Sequence, residues 1–329
     1  MPQSAAVTTG TPSAATDPSA APIEAPGDAA CLVCGTSLEG ARSLETPDRK
    51  EIAPPGTYRI LVCPNCGGGT TFPRVPADQL GAYYASEEYG PHVSGGVMGP
   101  LFGFAMSTRL RTARLFRSLR RSDPGELLDV GCGRGDLGAA LIRRGWSVSG
   151  LDASPRACEE AAARGVDAKL GTLEATELPA GRYDAIVFHH ALEHVVDPIA
   201  SLSAARKALK PGGQLLIGVP NFASNRSRRF GEDWWLLELP RHRFHFTEAA
   251  LRTALERSGF EIQSLRPHAA VLGTIASLQQ RSVGHFLESG PAFLVGYGLT
   301  LAAFPFAWGS NEARGGGELL NATALRSPS

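Results

Sequence analysis

No charge of either sign predominates in this chain. Its 32 Lys and Arg stand against 32 Asp and Glu, so the electrostatic footprint of a general nucleic-acid binder is missing. No basic segment followed by an apolar core opens the sequence, so nothing marks secretion and a cytoplasmic location is the expectation. Only six cysteines occur in 329 residues, and in a reducing compartment they argue for metal binding or incidental burial, not for a disulfide framework. The stretch 289–311 carries no charge and is long enough to span a bilayer of about 30 Å. Gly296, Gly298 and Pro305 interrupt it, so the expectation is a buried or interfacial helix, with peripheral membrane contact through 290–309. Residues 1–29 are nearly all Ala, Pro, Thr, Ser and Gly, which cannot bury enough apolar surface to offset the entropy of ordering; this is read as a disordered tail.

The remaining length suits one α/β domain and a smaller module. The boundaries fall at 30–75 for the small module, 76–122 for a linker and helical lid, and 123–329 for the large domain. Two arginine-rich runs, Arg109 to Arg121 and Arg226 to Arg229, concentrate positive charge. The first reads as a solvated helix face, because Leu110, Leu115, Phe116 and Leu119 supply a buried stripe.

The most informative stretch runs from Glu126 to Asp152. An apolar strand, Glu126 to Val130, enters a turn with Gly131, Gly133 and Gly135 at alternate positions, where the backbone bends sharply and can approach a ligand closely. A helix from Leu137 to Arg144 follows, Gly145 stops it, and a second strand from Ser147 to Leu151 ends in Asp152, about where a ribose diol would be held. This is a nucleotide-binding βα unit. Its G-x-G-x-G spacing differs from the G-x-G-x-x-G of NAD(P) enzymes, and Asp129 would repel a pyrophosphate while suiting a ligand that carries an ammonium group.

The same rhythm continues. Ser154 and Pro155 open a helix, Val166 to Leu170 and Tyr183 to His189 are strands, and Asp197-Pro198 caps a helix running to Leu209. Lys210-Pro211-Gly212-Gly213 turns into a strand from Gln214 to Val219. Thr247 caps a helix that ends at Ser258-Gly259, ahead of a sixth strand, and Gly317 to Arg326 alternates like a seventh. Strands separated by helices imply a parallel doubly wound sheet with ligands at the C-terminal strand ends.

Upstream, Cys31-x-x-Cys34-Gly35 and Cys63-x-x-Cys66-Gly67 form two knuckles, with a short strand from Tyr58 to Val62 feeding the second. Four thiolates in two C-x-x-C pairs suit a structural zinc, and the glycine after each pair permits a left-handed bend. Protein would fill all four positions, which leaves no open coordination for catalysis.

From Glu126 onward the chain resembles the class I S-adenosylmethionine (SAM) methyltransferases, on the glycine loop, the Leu192-Glu193-His194 sequence after strand four and the Pro211-Gly212-Gly213 turn. The resemblance implies a Rossmann-like, seven-stranded α/β sheet whose last strand is antiparallel. It also implies that Asp129, Gly131, Gly133 and Gly135 hold the methionine end of SAM, Asp152 the ribose, and Thr172 and Leu173 the adenine border, with His189 completing the cofactor set. Arg134 replaces the commoner Thr or Ser of that loop. The small module resembles the zinc ribbons that precede such domains, and the ribbon followed by Tyr83-Tyr84 is similar to proteins of polysaccharide, sugar and natural-product pathways. A small-molecule or glycoconjugate acceptor is therefore implied, with no nucleic-acid partner.

Two rivals stay open. An RNA base methyltransferase also carries such a ribbon, but Pro220-Asn221-Phe222 is not its N-P-P-Y motif; a SAM-binding scaffold would bind without turnover. Transfer to a hydroxyl needs a base, and histidine titrates near neutrality. His242 is the first choice, with His245 and His190 as the others. His245 also reads as a core histidine, and Glu193 with His194 as stabilisers of a helix start. The H-x-x-E-H string from His190 to His194 matches a metalloprotease pattern in letters only, because it follows a strand of this rhythm. A divalent cation shared by Glu193 and the histidines would parallel some related O-methyltransferases of lipid phenols. Trp234 and Trp235 could stack a planar acceptor, meet a membrane or simply pack in the core.

Overall fold

The computed structural model describes residues 29–47, 57–76, 114–119, 122–269, 273–284, 298 and 316–327. The expected tail before residue 29, the Tyr83-Tyr84 segment, the glycine-rich stretch from Gly95 to Gly103, the ends of the Arg109 to Arg121 helix and all of 289–311 except Gly298 lie outside the described residues. Among the described residues, no helix is long and apolar enough to cross a membrane.

The N-terminal strands β1 (Ser43–Pro47), β2 (Thr57–Val62) and β3 (Gly69–Phe72) pair antiparallel in that order. The larger unit then runs β4 (Glu126–Val130), α1 (Asp136–Ile142), β5 (Ser147–Asp152), α2 (Pro155–Ala162), β6 (Asp167–Leu170), β7 (Tyr183–His189), α3 (Pro198–Ala208), β8 (Leu209–Pro220), α4 (Asn225–Phe230), β9 (Phe244–His245), α5 (Glu248–Arg257), β10 (Phe260–His268), α6 (Gly273–Val283) and β11 (Leu319–Arg326). Seven of these strands form one sheet in the order β10-β11-β8-β7-β4-β5-β6, with β11 antiparallel to both of its neighbours. The parallel centre, β8-β7-β4-β5, is buried on both faces, and its strands are accordingly near-continuous apolar runs such as Ala185 to Phe188.

Capping side chains start the helices where the sequence places them. The Ser154 hydroxyl accepts from the Ala157 N–H, the Asp197 carboxylate from Ile199 and Ala200, and the Thr247 hydroxyl from Ala250. The Pro211-Gly212-Gly213 turn proves to be an irregularity inside β8, which begins pairing at Leu209 and resumes regular register at Gln214. Of the arginine-rich helix, Arg114–Arg117 is a single 3-10 turn that buries Leu115 and Phe116, and Leu119 is buried just beyond it. Arg226, in the second basic run, is not a surface charge. Its guanidinium pairs with Glu318 at 2.5 Å, and the other Glu318 oxygen accepts from Trp234 Nε1 at 3.2 Å. Trp234 is wholly buried, so of the roles open to it the structure gives it core packing.

The two modules are joined more closely than their composition suggests. The ribbon sheet has a fourth strand, β9, contributed from beyond β8, with Gly69 opposite His245 and Thr70 opposite Phe244. Cys63, Cys66, Leu61 and Phe72 share a continuous apolar core with Phe244, Phe246, Leu251 and Leu255 of the large domain. Thr247 ties them further: while it caps α5, its hydroxyl donates to the Cys66 carbonyl at 2.8 Å.

Candidate active site

At the C-terminal end of β4 the chain turns through Gly131, Gly133 and Gly135 at φ values of 70°, 51° and 77°, the left-handed region that favours glycine. A Cβ on Gly131 would lie 2.7 Å from that of Ala191, and one on Gly135 would lie 2.9 Å from Ala161. A Cβ on Gly133 would meet nothing within 4 Å. The loop is thus closed underneath by protein and open at its middle glycine. The Asp152 carboxylate fixes the loop from the neighbouring strand, accepting from the Gly133 N–H at 2.8 Å and the Ser154 N–H at 2.9 Å.

Two carboxylates meet here. Asp129 is buried, and burial together with the charge on Asp152 pushes its carboxyl up to about 8. Burial likewise raises Asp152, against the opposing backbone hydrogen bonds. A ligand that brings a cation to this spot, and no phosphate, would relieve both. Gly171 extends the rim by donating to the Asp152 carbonyl, and Thr172 beside it is exposed. The Leu173 side chain, by contrast, is in the core, so only its backbone can border a ligand. Arg134 pairs with Glu160 at 2.9 Å.

The four ribbon cysteines bring one sulfur each within 4.8 Å of one another, with Cys31 and Cys66 sulfurs 3.6 Å apart and those of Cys34 and Cys63 3.4 Å apart. Gly35 and Gly67 take φ values of 75° and 68°, the left-handed bends the knuckles need. The contact with the Cys66 sulfur draws the Cys31 thiol down to about 5.

The structure separates the three candidate bases. His242 is buried, its Nδ1–H donates to the Leu236 carbonyl at 2.9 Å, and burial and the neighbouring His194 push it well below the usual imidazole range. His245 is buried beneath the ribbon. The Thr71 hydroxyl donates to the His242 carbonyl at 2.6 Å and therefore accepts from His245 Nε2–H at 3.0 Å, while burial drives His245 down to about 3. Both expectations of a base at these two positions meet the same physical fact: an imidazole sealed from water cannot hold the proton's charge, and burial pushes both rings below the usual range. His190 differs. About a third of its side chain is exposed, its backbone sits at φ 57°, and it immediately precedes Ala191, the residue under Gly131. His189, in β7, is held between the rings of Phe116 and His190.

Glu193 lies at the centre of this cluster. It is buried, its backbone carbonyl accepts from the Arg243 and Phe244 N–H groups of the segment leading into β9, and neither carboxylate oxygen has a hydrogen-bond partner among the described residues. Its Oε1 is 3.4 Å from His190 Nδ1 and 4.0 Å from His242 Nε2. One ligand atom each from Glu193, His194 and His242 also falls within 4.8 Å of the others. Sequence reasoning gave Glu193 a helix-start role or a share in a divalent cation with the histidines; its burial between His190 and His242 was signalled only by the i, i+3 spacing from His190.

A family model described as methyltransferase domain matches residues 104–265. The ubiquinone biosynthesis O-methyltransferase of Cereibacter sphaeroides (strain KD131 / KCTC 12085) is 35% identical over 123 residues, which cover 35% of this chain and 50% of that relative. The chain thus spans about half the length of that protein. The enzyme of the same name from Dinoroseobacter shibae is 31% identical over 169 residues, covering 47% of this chain and 68% of the relative. Among solved structures, geranyl diphosphate C-methyltransferase from Streptomyces coelicolor A3(2) aligns with a TM-score of 0.49 at 17% identity, over 76% of this chain and 100% of the other.

Proposed function

This chain belongs to the SAM-dependent methyltransferases, and we propose that it moves the SAM methyl group to a hydroxyl of a small-molecule or glycoconjugate acceptor, with His190 as the base. The observation that carries the reading is the partly exposed His190, next in the chain to Ala191, whose side chain lies under Gly131 of the glycine loop.

The residues present fit the cofactor. The open face over Gly133 would accept its body, Asp129 would pair with its ammonium, and Asp152 would accept from its ribose hydroxyls alongside its bonds from Gly133 and Ser154. Thr172 and the backbone of Leu173 would border the adenine, while the imidazole of His189 packs against His190 and Phe116 at the end of β7. SAM supplies an electrophilic methyl on a sulfonium. The protein aligns the acceptor hydroxyl with it and removes the hydroxyl proton, which His190 takes up at its ring nitrogen. The names of the relatives, ubiquinone biosynthesis O-methyltransferases, support oxygen as the methylated atom and a small lipid-like acceptor.

The ribbon cysteines hold a structural zinc in this reading. Sulfurs 3.4 and 3.6 Å apart lie close to the roughly 3.8 Å edge of a tetrahedron with Zn–S of about 2.3 Å. The knuckles face the large domain, so the ribbon acts as a brace for the loop carrying His242 and His245 and not as a nucleic-acid reader.

The test is transfer of labelled methyl from SAM to a panel of phenolic, sugar and lipid hydroxyls by the wild type and His190→Ala. Turnover with at least one hydroxyl acceptor, reduced about 10²- to 10⁴-fold in the variant at unchanged cofactor affinity, is expected. Equal turnover by the two proteins would remove His190 from the chemistry.

A further inference from the structure

We infer that Glu193 and His190 form a carboxylate–imidazole dyad, in which the buried carboxylate fixes the imidazole as its Nδ1–H tautomer and leaves Nε2 free to take a proton. The inference rests on the reading of His190 as the base.

The argument is one of donors. Glu193 is buried, and both of its oxygens are without a hydrogen bond among the described residues. A buried carboxylate without a donor costs several kcal/mol, so the site must supply one in its working state. Three imidazoles lie near it. His242 cannot serve: its proton is on Nδ1, donated to Leu236, so the Nε2 that faces Glu193 at 4.0 Å is an acceptor. His194 has likewise committed its Nδ1–H, to the Arg241 carbonyl at 3.2 Å. Only His190 turns Nδ1 toward Glu193, at 3.4 Å, and a small rotation of either side chain closes that to a hydrogen bond.

The backbone prepares the same geometry. His190 takes a φ of 57°, costly for a residue with a Cβ, while its N–H is pinned to the Gly218 carbonyl at 2.8 Å and its ring stands edge-on to His189. Glu193 is pinned by its own carbonyl, which receives the Arg243 and Phe244 N–H groups, so the strand that completes the ribbon sheet also holds the carboxylate. Glu193 is thus a positioning residue, acting on the acceptor through His190.

The experiment is 15N-resolved NMR of the His190 ring in the full chain loaded with S-adenosylhomocysteine, for the wild type and Glu193→Gln, with kcat and KM for both. Gln is isosteric and leaves no cavity, unlike Glu193→Ala, so the fold survives, and an unchanged melting temperature checks this. The expected result is an Nδ1–H ring in the wild type, an altered tautomer ratio in Glu193→Gln, and kcat lower by about 10²-fold or more with KM for SAM within twofold. An unchanged ring spectrum with kcat within threefold would make Glu193 structural and overturn the dyad. Activity lost on EDTA treatment and restored by added Mg²⁺ or Mn²⁺, with Glu193→Gln unresponsive, would make Glu193 a cation ligand and overturn it equally. Because the ring spectrum needs no turnover, a failure of the base reading in His190→Ala is distinguishable from a failure of the dyad.

Discussion

Replacing Asp129 by Asn should stabilise the cofactor-free protein, and by an amount that grows with pH. The folded state holds this carboxyl at about 8 because it is buried beside Asp152. In the unfolded chain an Asp titrates near 3.9, so between those values the unfolded state has released a proton that the folded state retains. Stability is therefore full below about pH 4 and declines as pH rises toward 8. The penalty reaches about 1.5 kcal/mol at pH 5 and about 4 kcal/mol at pH 7, each pH unit counting for about 1.4 kcal/mol. Asp152, raised in the same direction, adds to the slope. His245, held down at about 3, acts oppositely: its contribution is present above about pH 6.5 and is lost on acidification toward 3, so the wild-type curve alone is ambiguous. The difference between Asp129→Asn and wild type cancels the histidine. Urea unfolding of both proteins at pH 5, 6 and 7 should show the variant's advantage widening by more than 1 kcal/mol per unit. A difference that stays flat over that range would mean Asp129 is already ionised in the free protein, and the account of a carboxylate waiting for a cation would be wrong.

Thr247→Ala should cost about 1–3 kcal/mol, because the hydroxyl both caps α5 and donates to the Cys66 carbonyl; Thr247→Ser should recover most of it in the same urea titration. Stripping zinc with a chelator should lower the melting temperature of the whole described fold in one transition, since the knuckles share a core with α5. A separate low-temperature transition for the ribbon alone would show that the two units are not coupled.

Much of the fold was legible because its signals are local. The strand Tyr183–His189, the glycine turn after Val130 and the caps Ser154, Asp197 and Thr247 each depend on a few adjacent residues whose chemistry permits little else. The pairing of Gly69 with His245 was not legible, because a two-residue strand has no periodicity and its partner is far away in the chain. For the same reason the segment around His242 and His245 read as a source of catalytic bases. The ribbon covers it, and burial turns its two histidines from candidate bases into structural groups. The place of Arg226 was not legible either: three arginines within four residues mark only local positive charge until the Glu318 carboxylate, contributed by the C-terminal segment, is placed beside the first of them. What the sequence could name was residue chemistry at each position; which groups face each other depended on contacts closed by folding.

Calorimetric titration of S-adenosylhomocysteine into the zinc-loaded protein, with Asp152→Ala alongside, tests the central claim most directly. Saturable binding with one site per chain in the wild type, lost in the variant, is the predicted result. No heat of binding to folded wild-type protein, or equal binding by both, would contradict the donor site that every other step depends on.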